Sequence, residues 1–214
     1  MIKKIIFDLD DTLIPWRKRY YLGLKKMAKK HGINLKTKDY IKVADSIDVY
    51  EKSYPSFSRE NVKKIVTKIS GIDITDDLLD ALIDWVSTCT PKKKNKRLME
   101  TLNYLSKKYD LVVLTNFFVV AQERRLERYG LRKYFKEVYG ADIHSKPNKE
   151  AYLMAANKTP LNECLFVGDN LLNDYDKPIE LGMKAIWLTK EKTDKRSIKN
   201  INDLRRLLWI YMKI

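Results

Sequence analysis

Cysteine is nearly missing from this chain. Its 214 residues hold two, Cys89 and Cys164, far apart and with no Cys or His nearby at metal-ligand spacing. That pattern excludes a disulfide framework and a zinc module, and it points to a reducing compartment. Histidine is as scarce. His144 has no partner base or metal set beside it and reads as a loop residue, while His31, next to Gly32, is placed to complement a helix C-terminus. Apolar runs of bilayer length are lacking, so no membrane association is expected. The opening from Met1 through Lys3 and Lys4 to Asp8 breaks its apolar stretch too early for a secretory leader, which makes the expected location cytoplasmic. Internal repeats and low-complexity linkers are also lacking.

What is present suits a folded domain. Hydrophobic residues make up 44% of the chain and aromatics 11%, enough to bury a core despite a net charge of +15. The length fits one main core with a modest insertion. The lysines are scattered rather than gathered into a stripe interleaved with aromatics, so nucleic acid is not an expected partner, whereas anionic metabolites would be attracted. The one basic run, Lys92-Lys93-Lys94-Asn95-Lys96-Arg97, reads as a solvated helix start near a domain hinge.

Apolar periodicity divides the chain. Ile2 to Phe7 reads as a buried strand that ends abruptly in Asp8-Leu9-Asp10-Asp11-Thr12. From Trp16 to about Thr90 no strand is expected, only helices. These include Tyr20 to Lys30, Ser58 to Ser70 stopped by Gly71, and one capped by Thr75 with Leu78, Leu79, Leu82, Ile83 and Val86 at helical spacing. After Pro91, helices alternate with strands at Leu111 to Asn116, Glu137 to Tyr139, Cys164 to Val167 and Lys184 to Leu188. Such alternation implies a parallel sheet with right-handed crossovers. A last helix over about Asn200 to Ile214 carries Leu204, Leu207, Leu208 and Tyr211 on one face, as a closing helix packed on the sheet would.

Polar residues follow these strands: Asp8 and Asp10 after the first, Thr115 after the second, and Asp169 with Asp174 after the fourth. In a parallel sheet such ends converge on one crevice. Acids gathered there repel one another and raise each other's pKa values. A hard divalent cation, magnesium above all, relieves this with oxygen ligands and favours substrates that bring phosphate oxygens.

The segments FDLDDTL, VLTN, SKP and VGDNLLND, in that order, resemble the four motifs of the haloacid dehalogenase superfamily, including its DxDxT loop at Asp8, Asp10 and Thr12 and its GDxxxxD motif at Gly168, Asp169 and Asp174. The resemblance implies that Asp8 is the nucleophile, forming an aspartyl-phosphate, and that Asp10 is the general acid and base. It assigns Thr115, with Asn116 and the amides after it, to the phosphoryl group, and Lys146 to balance the charge of Asp8 and the phosphoryl oxygens. Mg2+ would be held by Asp8, Asp169 and Asp10 through its backbone carbonyl, with Asp174 ligating through water or orienting this shell. The acid at Asp10 disfavours dehalogenase and phosphonatase chemistry within the family. One departure stands out. Tyr175-Asp176-Lys177-Pro178 replaces the usual small-residue stretch, which alters the start of that helix and weakens any role for Asp176 near the metal.

The helical stretch between the first two motifs resembles the family's C1 cap. The expected fold is α/β, a doubly wound parallel-sheet core formed by residues 1–15 and 91–214 with an inserted helical cap domain at 16–90. A cap that closes over the crevice implies a small phosphorylated metabolite as substrate. Trp16, Arg17, Arg19 and Tyr20, at the start of the cap, are candidates for contacting the leaving group, an Arg there being able to clamp a second anion. The expected activity is a Mg2+-dependent phosphatase, acting as a monomer or homodimer. The alternatives are a β-phosphoglucomutase-like phosphomutase and a non-catalytic basic nucleic-acid-binding protein on the same fold.

Overall fold

A computed structural model describes residues 1–16, 20–53 and 56–205, without the side chains of Tyr20 and Tyr21. The first strand, β1 (Lys4–Phe7), is buried along its whole length and lies at the centre of a six-stranded sheet. Beside it run β2 (Asp110–Leu114) and β3 (Glu137–Tyr139) on one side, and β4 (Cys164–Gly168), β5 (Lys184–Leu188) and β6 (Ser197–Ile198) on the other. The order is β3-β2-β1-β4-β5-β6 and every pairing is parallel. Both faces are covered, which is why the strands read as continuous apolar runs. Ile5 and Phe7 pack into a cluster with Leu98, Leu102 and Leu126, from α5 (Lys96–Ser106) and α6 (Val119–Tyr129). Ile6, pointing the opposite way, joins Tyr152 and Ala155 of α7 (Lys149–Ala156). The fold is therefore a doubly wound α/β sheet, as the alternation predicts.

Four helices come between β1 and α5: α1 (Tyr20–Lys30), α2 (Thr37–Lys52), α3 (Arg59–Ser70) and α4 (Asp76–Ser87). Their ends follow the sequence cues. Ser58 Oγ accepts from Asn61 N at 3.2 Å and Thr75 Oγ1 from Leu78 N at 3.2 Å, while Gly71 closes α3 with φ of 69°. Their shared core is built from Tyr40, Val43 and Ile47 of α2, Val62 and Val66 of α3, and Leu79 and Leu82 of α4. This cluster continues into Phe117, Phe118 and Ala121 at the start of α6, so the helical insert and the sheet share packing next to the strand ends. The Phe57 backbone N–H also donates to the Ala141 carbonyl at 2.5 Å.

Several elements differ from expectation. Helix α2 and the short strand β6 are additions. The segment after β4 is a π-helical turn, Leu171–Asp176, that runs directly into a short α8, Lys177–Glu180. This is the altered helix start that Tyr175-Asp176-Lys177-Pro178 signals. The C-terminal stretch begins with a 3-10 turn, Ile201–Asp203, and Leu204 is buried against the sheet. Leu207, Leu208 and Tyr211 lie outside the described residues. His31 pairs with Asp84 on α4 at 3.0 Å, so its partner is a carboxylate rather than a helix end alone. Among the described residues no helix is long and apolar enough to cross a membrane.

Candidate active site

Asp8, Thr115 and Asp169 each follow directly on a strand, and β2, β1 and β4 are neighbours, so their registers bring the three together. Asp8 N donates to Val167 O at 2.9 Å, which extends the β1–β4 ladder to the first acid itself. Lys146 arrives from the loop after β3. Its Nζ donates to Asp8 Oδ1 and Asp174 Oδ1, both at 2.7 Å, and the three side chains are at most 9% exposed. Asn116 fixes this lysine at the main chain, its Oδ1 accepting from Lys146 N and its Nδ2 donating to Lys146 O, both at 2.8 Å. Expected at the phosphoryl group, the Asn116 side chain is thus engaged with the peptide of Lys146.

Asp174 is fully buried, and its Oδ2 accepts from Asn170 N at 3.0 Å. Gly168 makes this possible, since a Cβ there would stand 2.3 Å from Asp174 Oδ2. Asp169 accepts from Thr12 Oγ1 at 3.2 Å and holds the Trp187 indole N–H on its carbonyl at 2.8 Å. Asp176 pairs with Lys195, away from the cluster.

Carboxylate oxygens of Asp8, Asp169 and Asp174 lie within 4.8 Å of one another, and among the described residues the one ammonium bonded to them is that of Lys146. The electrostatics register that excess. Burial is the main influence raising the Asp8 carboxyl well above its usual range, and repulsion from Asp174, Asp169 and Asp10 adds to it against the pull of Lys146. Asp169 is pushed up to about 6, by burial first and then by Asp174 and Asp11. Burial alone would lower the Lys146 ammonium, but Asp174 and Asp8 outweigh it and hold the group protonated well above its usual value. Asp8 Oδ2 is buried with no hydrogen-bond partner among the described residues. An all-oxygen donor set short of positive charge, with one orphaned carboxylate oxygen, fits a hard divalent cation.

Asp10 has different company. Its Oδ1 accepts from Arg125 Nη1 at 2.5 Å and its Oδ2 from Gln122 Nε2 at 2.9 Å. Gln122 Nε2 also donates to Thr115 Oγ1 at 3.0 Å, and Gln122 Oε1 accepts from Arg125 Nη1 at 2.8 Å. Neither α6 residue is among the expected site residues, although two polar side chains at i, i+3 spacing on the buried face of an amphipathic helix were visible in the sequence.

These groups open onto a cavity of about 250 Å³. Asp8, Asp10, Thr115, Asn116, Lys146, Asp169 and Asp174 line its floor, and Trp16, Glu51, Phe57 and Val86 come from the insert side. Trp16 is the one candidate for leaving-group contact with a described side chain. Its backbone N–H donates to Asp11 Oδ1 at 2.8 Å, and its ring centroid lies 6.1 Å from that of Trp85. Arg17 and Arg19 fall outside the described residues, as does the side chain of Tyr20. His144 sits in the loop before Lys146 as expected.

The sequence model of the haloacid dehalogenase-like hydrolases matches residues 2–176. Among curated proteins, the chain is 39% identical over 99 residues to the 5-amino-6-(5-phospho-D-ribitylamino)uracil phosphatase YigB of Escherichia coli, a match spanning 44% of this chain and 40% of that relative's length. It is 25% identical to the glyceraldehyde 3-phosphate phosphatase of Methanocaldococcus jannaschii over 97% of this chain and 96% of the relative. Among solved structures, the magnesium-bound crystal structure of the HAD-hydrolase YfnB from Bacillus subtilis superimposes with a TM-score of 0.70 at 19% identity, covering 97% of this chain and 98% of that one.

Proposed function

Since this chain belongs to the haloacid dehalogenase-like hydrolases, we propose that it is a magnesium-dependent phosphatase that cleaves a small phosphorylated metabolite through an aspartyl-phosphate on Asp8. The observation that carries this reading is the pair of acids in one cavity. Asp8 presents an unpartnered oxygen beside Lys146, and Asp10 stands with both oxygens hydrogen-bonded at the same strand end.

In this reading a carboxylate oxygen of Asp8 attacks phosphorus in line with the ester oxygen. As the P–O bond breaks, the Asp10 carboxyl gives its proton to the departing alkoxide. Asp10 then takes a proton from water as the water oxygen bonds phosphorus and the Asp8–phosphorus bond breaks, which releases inorganic phosphate. The Thr115 hydroxyl and the Lys146 ammonium stabilise the phosphoryl oxygens throughout. Asn116 serves by fixing Lys146. Asp8, Asp169 and Asp174, with the backbone carbonyl of Asp10, would hold a magnesium ion whose charge lets anionic phosphate approach anionic carboxylates.

The small cavity supports a small substrate, as do relatives named for compact phosphate esters. The helical insert acts as the cap that bounds the leaving group, with Trp16 on its wall and residues 1–15 and 91–214 as the catalytic core. A cytoplasmic enzyme with free Cys89 and Cys164 accords with this chemistry. The test is an acid quench after mixing with a phosphate-labelled monoester and magnesium. Label bound to protein through Asp8, lost in Asp8→Asn, together with release of inorganic phosphate, is the expected result. Substantial turnover by Asp8→Asn would refute the covalent route.

A further inference from the structure

We propose that Arg125 is a positioning residue that sets Asp10 for leaving-group protonation and ties that setting to the seating of the helical insert; the inference rests on the reading of Asp10 as the acid. Arg125 is completely buried, in a protein whose other charged side chains mostly face solvent. A buried guanidinium is a poor device for stability alone, because apolar side chains of similar volume commonly do as well or better. What an apolar chain could not supply is its set of partners.

Nη1 donates to Asp10 Oδ1 at 2.5 Å and Nε donates to the Cys89 carbonyl at 2.9 Å. The guanidinium carbon lies 4.8 Å from the centroid of the Trp16 ring. Trp16 belongs to the segment that leaves the catalytic loop for α1, and Cys89 to the segment that returns from α4 toward α5. One planar fork therefore touches both chain crossings of the insert and the carboxylate beside the nucleophile. With Oδ1 engaged by Arg125, the proton that Asp10 gives up is carried on Oδ2. Gln122 ties Oδ2 to Thr115, the side that holds the phosphoryl group. Displacing either crossing shifts the guanidinium, and with it the distance from Asp10 to the ester oxygen. Misplacement of such a group by about 1 Å costs on the order of 100-fold in rate.

Leaving-group chemistry separates this role from a structural one. Expulsion of 4-nitrophenolate needs little protonation, whereas expulsion of an alkoxide depends on it. The experiment measures kcat/KM, which covers steps up to loss of the leaving group, with magnesium for 4-nitrophenyl phosphate and for the fastest of a series of alkyl phosphomonoesters. In Arg125→Met the alkyl ester should lose about 100-fold and the aryl ester under about fivefold. Arg125→Lys keeps the charge but cannot bridge Asp10 and Cys89, and should lose about tenfold on the alkyl ester alone. In an Asp10→Asn background, neither substitution should cost anything further on the alkyl ester.

Equal proportional losses on both esters, or losses that add to that of Asp10→Asn, would overturn the proposal. If Arg125→Met does not fold, Arg125→Lys decides, and a wild-type ratio of alkyl to aryl activity in that variant would overturn it. Wild-type protein inert toward every ester refutes the phosphatase reading itself, and the inference with it.

Discussion

Asp8 and Asp10 leave the same strand two residues apart, and their surroundings could hardly differ more. Around Asp8, among the described residues, three carboxylates gather beside one ammonium that bonds two of them, and one oxygen lacks a partner. Around Asp10, both oxygens are hydrogen-bonded and a buried guanidinium balances the charge. Among the described residues the Asp8 half is short of positive charge, whereas both Asp10 oxygens are satisfied by the protein's own side chains, with only Arg125 Nη2 left over beside them. In the proposed mechanism the acid that bonds phosphorus keeps one oxygen unpartnered among the described residues, while the acid that delivers the proton is held at both oxygens.

The sharpest way to break this contrast is to neutralise each acid in turn. Asp8→Asn should lower turnover of every phosphomonoester by at least about four orders of magnitude. Asp10→Asn should cost alkyl esters about 10²–10⁴-fold and aryl esters much less, measured as kcat/KM. Similar losses on both substrates in both variants would erase the distinction.

Lys146→Met removes the ammonium that Asp8 and Asp174 share. It should destabilise the metal-free protein by about 3 kcal/mol in urea unfolding, because two buried carboxylates lose their partner. Gly168→Ala, which pushes a methyl group against Asp174, should cost about 2 kcal/mol. Arg59→Ala breaks exposed pairs with Asp76 and Asp80 far from the acidic group and should leave the melting temperature unchanged.

The pH dependence gives a gentler probe. Asp8 and Asp169 have folded-state pKa values raised above the ordinary 3.8, Asp169 to about 6. Their contribution to stability is therefore full below the unfolded value and is lost as pH rises through the folded one. Without divalent ions the melting temperature should rise between pH 7.5 and 5.5, and magnesium should flatten that slope by neutralising the same charges. A metal-free protein that is most stable at pH 7.5 would show that the excess of carboxylates carries no penalty.

Much of this was legible in the sequence because it depends on local periodicity. The buried strands, the Thr75 cap, the Gly71 stop and the polar strand ends all announce themselves within a few residues. Asp174 was legible as part of an ordered acidic motif. Helix α2 was missed although Tyr40, Val43, Ile47 and Tyr50 keep helical spacing, since its charged residues mask the stripe. Strand β6 has two residues, too few for a periodic signal.

Gln122 and Arg125 were missed for a different reason. They bond to Asp10 across 112 and 115 residues of chain, a relation that only the crossing of α6 past the catalytic loop creates. Asn116 shows the converse. The sequence marks it as a site residue, but only the fold brings its amide onto the lysine peptide that it holds in place.

The bond from the Phe57 amide to the Ala141 carbonyl joins the insert to the sheet through main-chain atoms. Such a tether is indifferent to side-chain identity and is lost only to proline at the donor position or to a shift of the backbone. Under the proposed function, inner-wall residues such as Glu51 and Val86 can therefore change to suit a different alcohol without cutting this main-chain tie between insert and sheet.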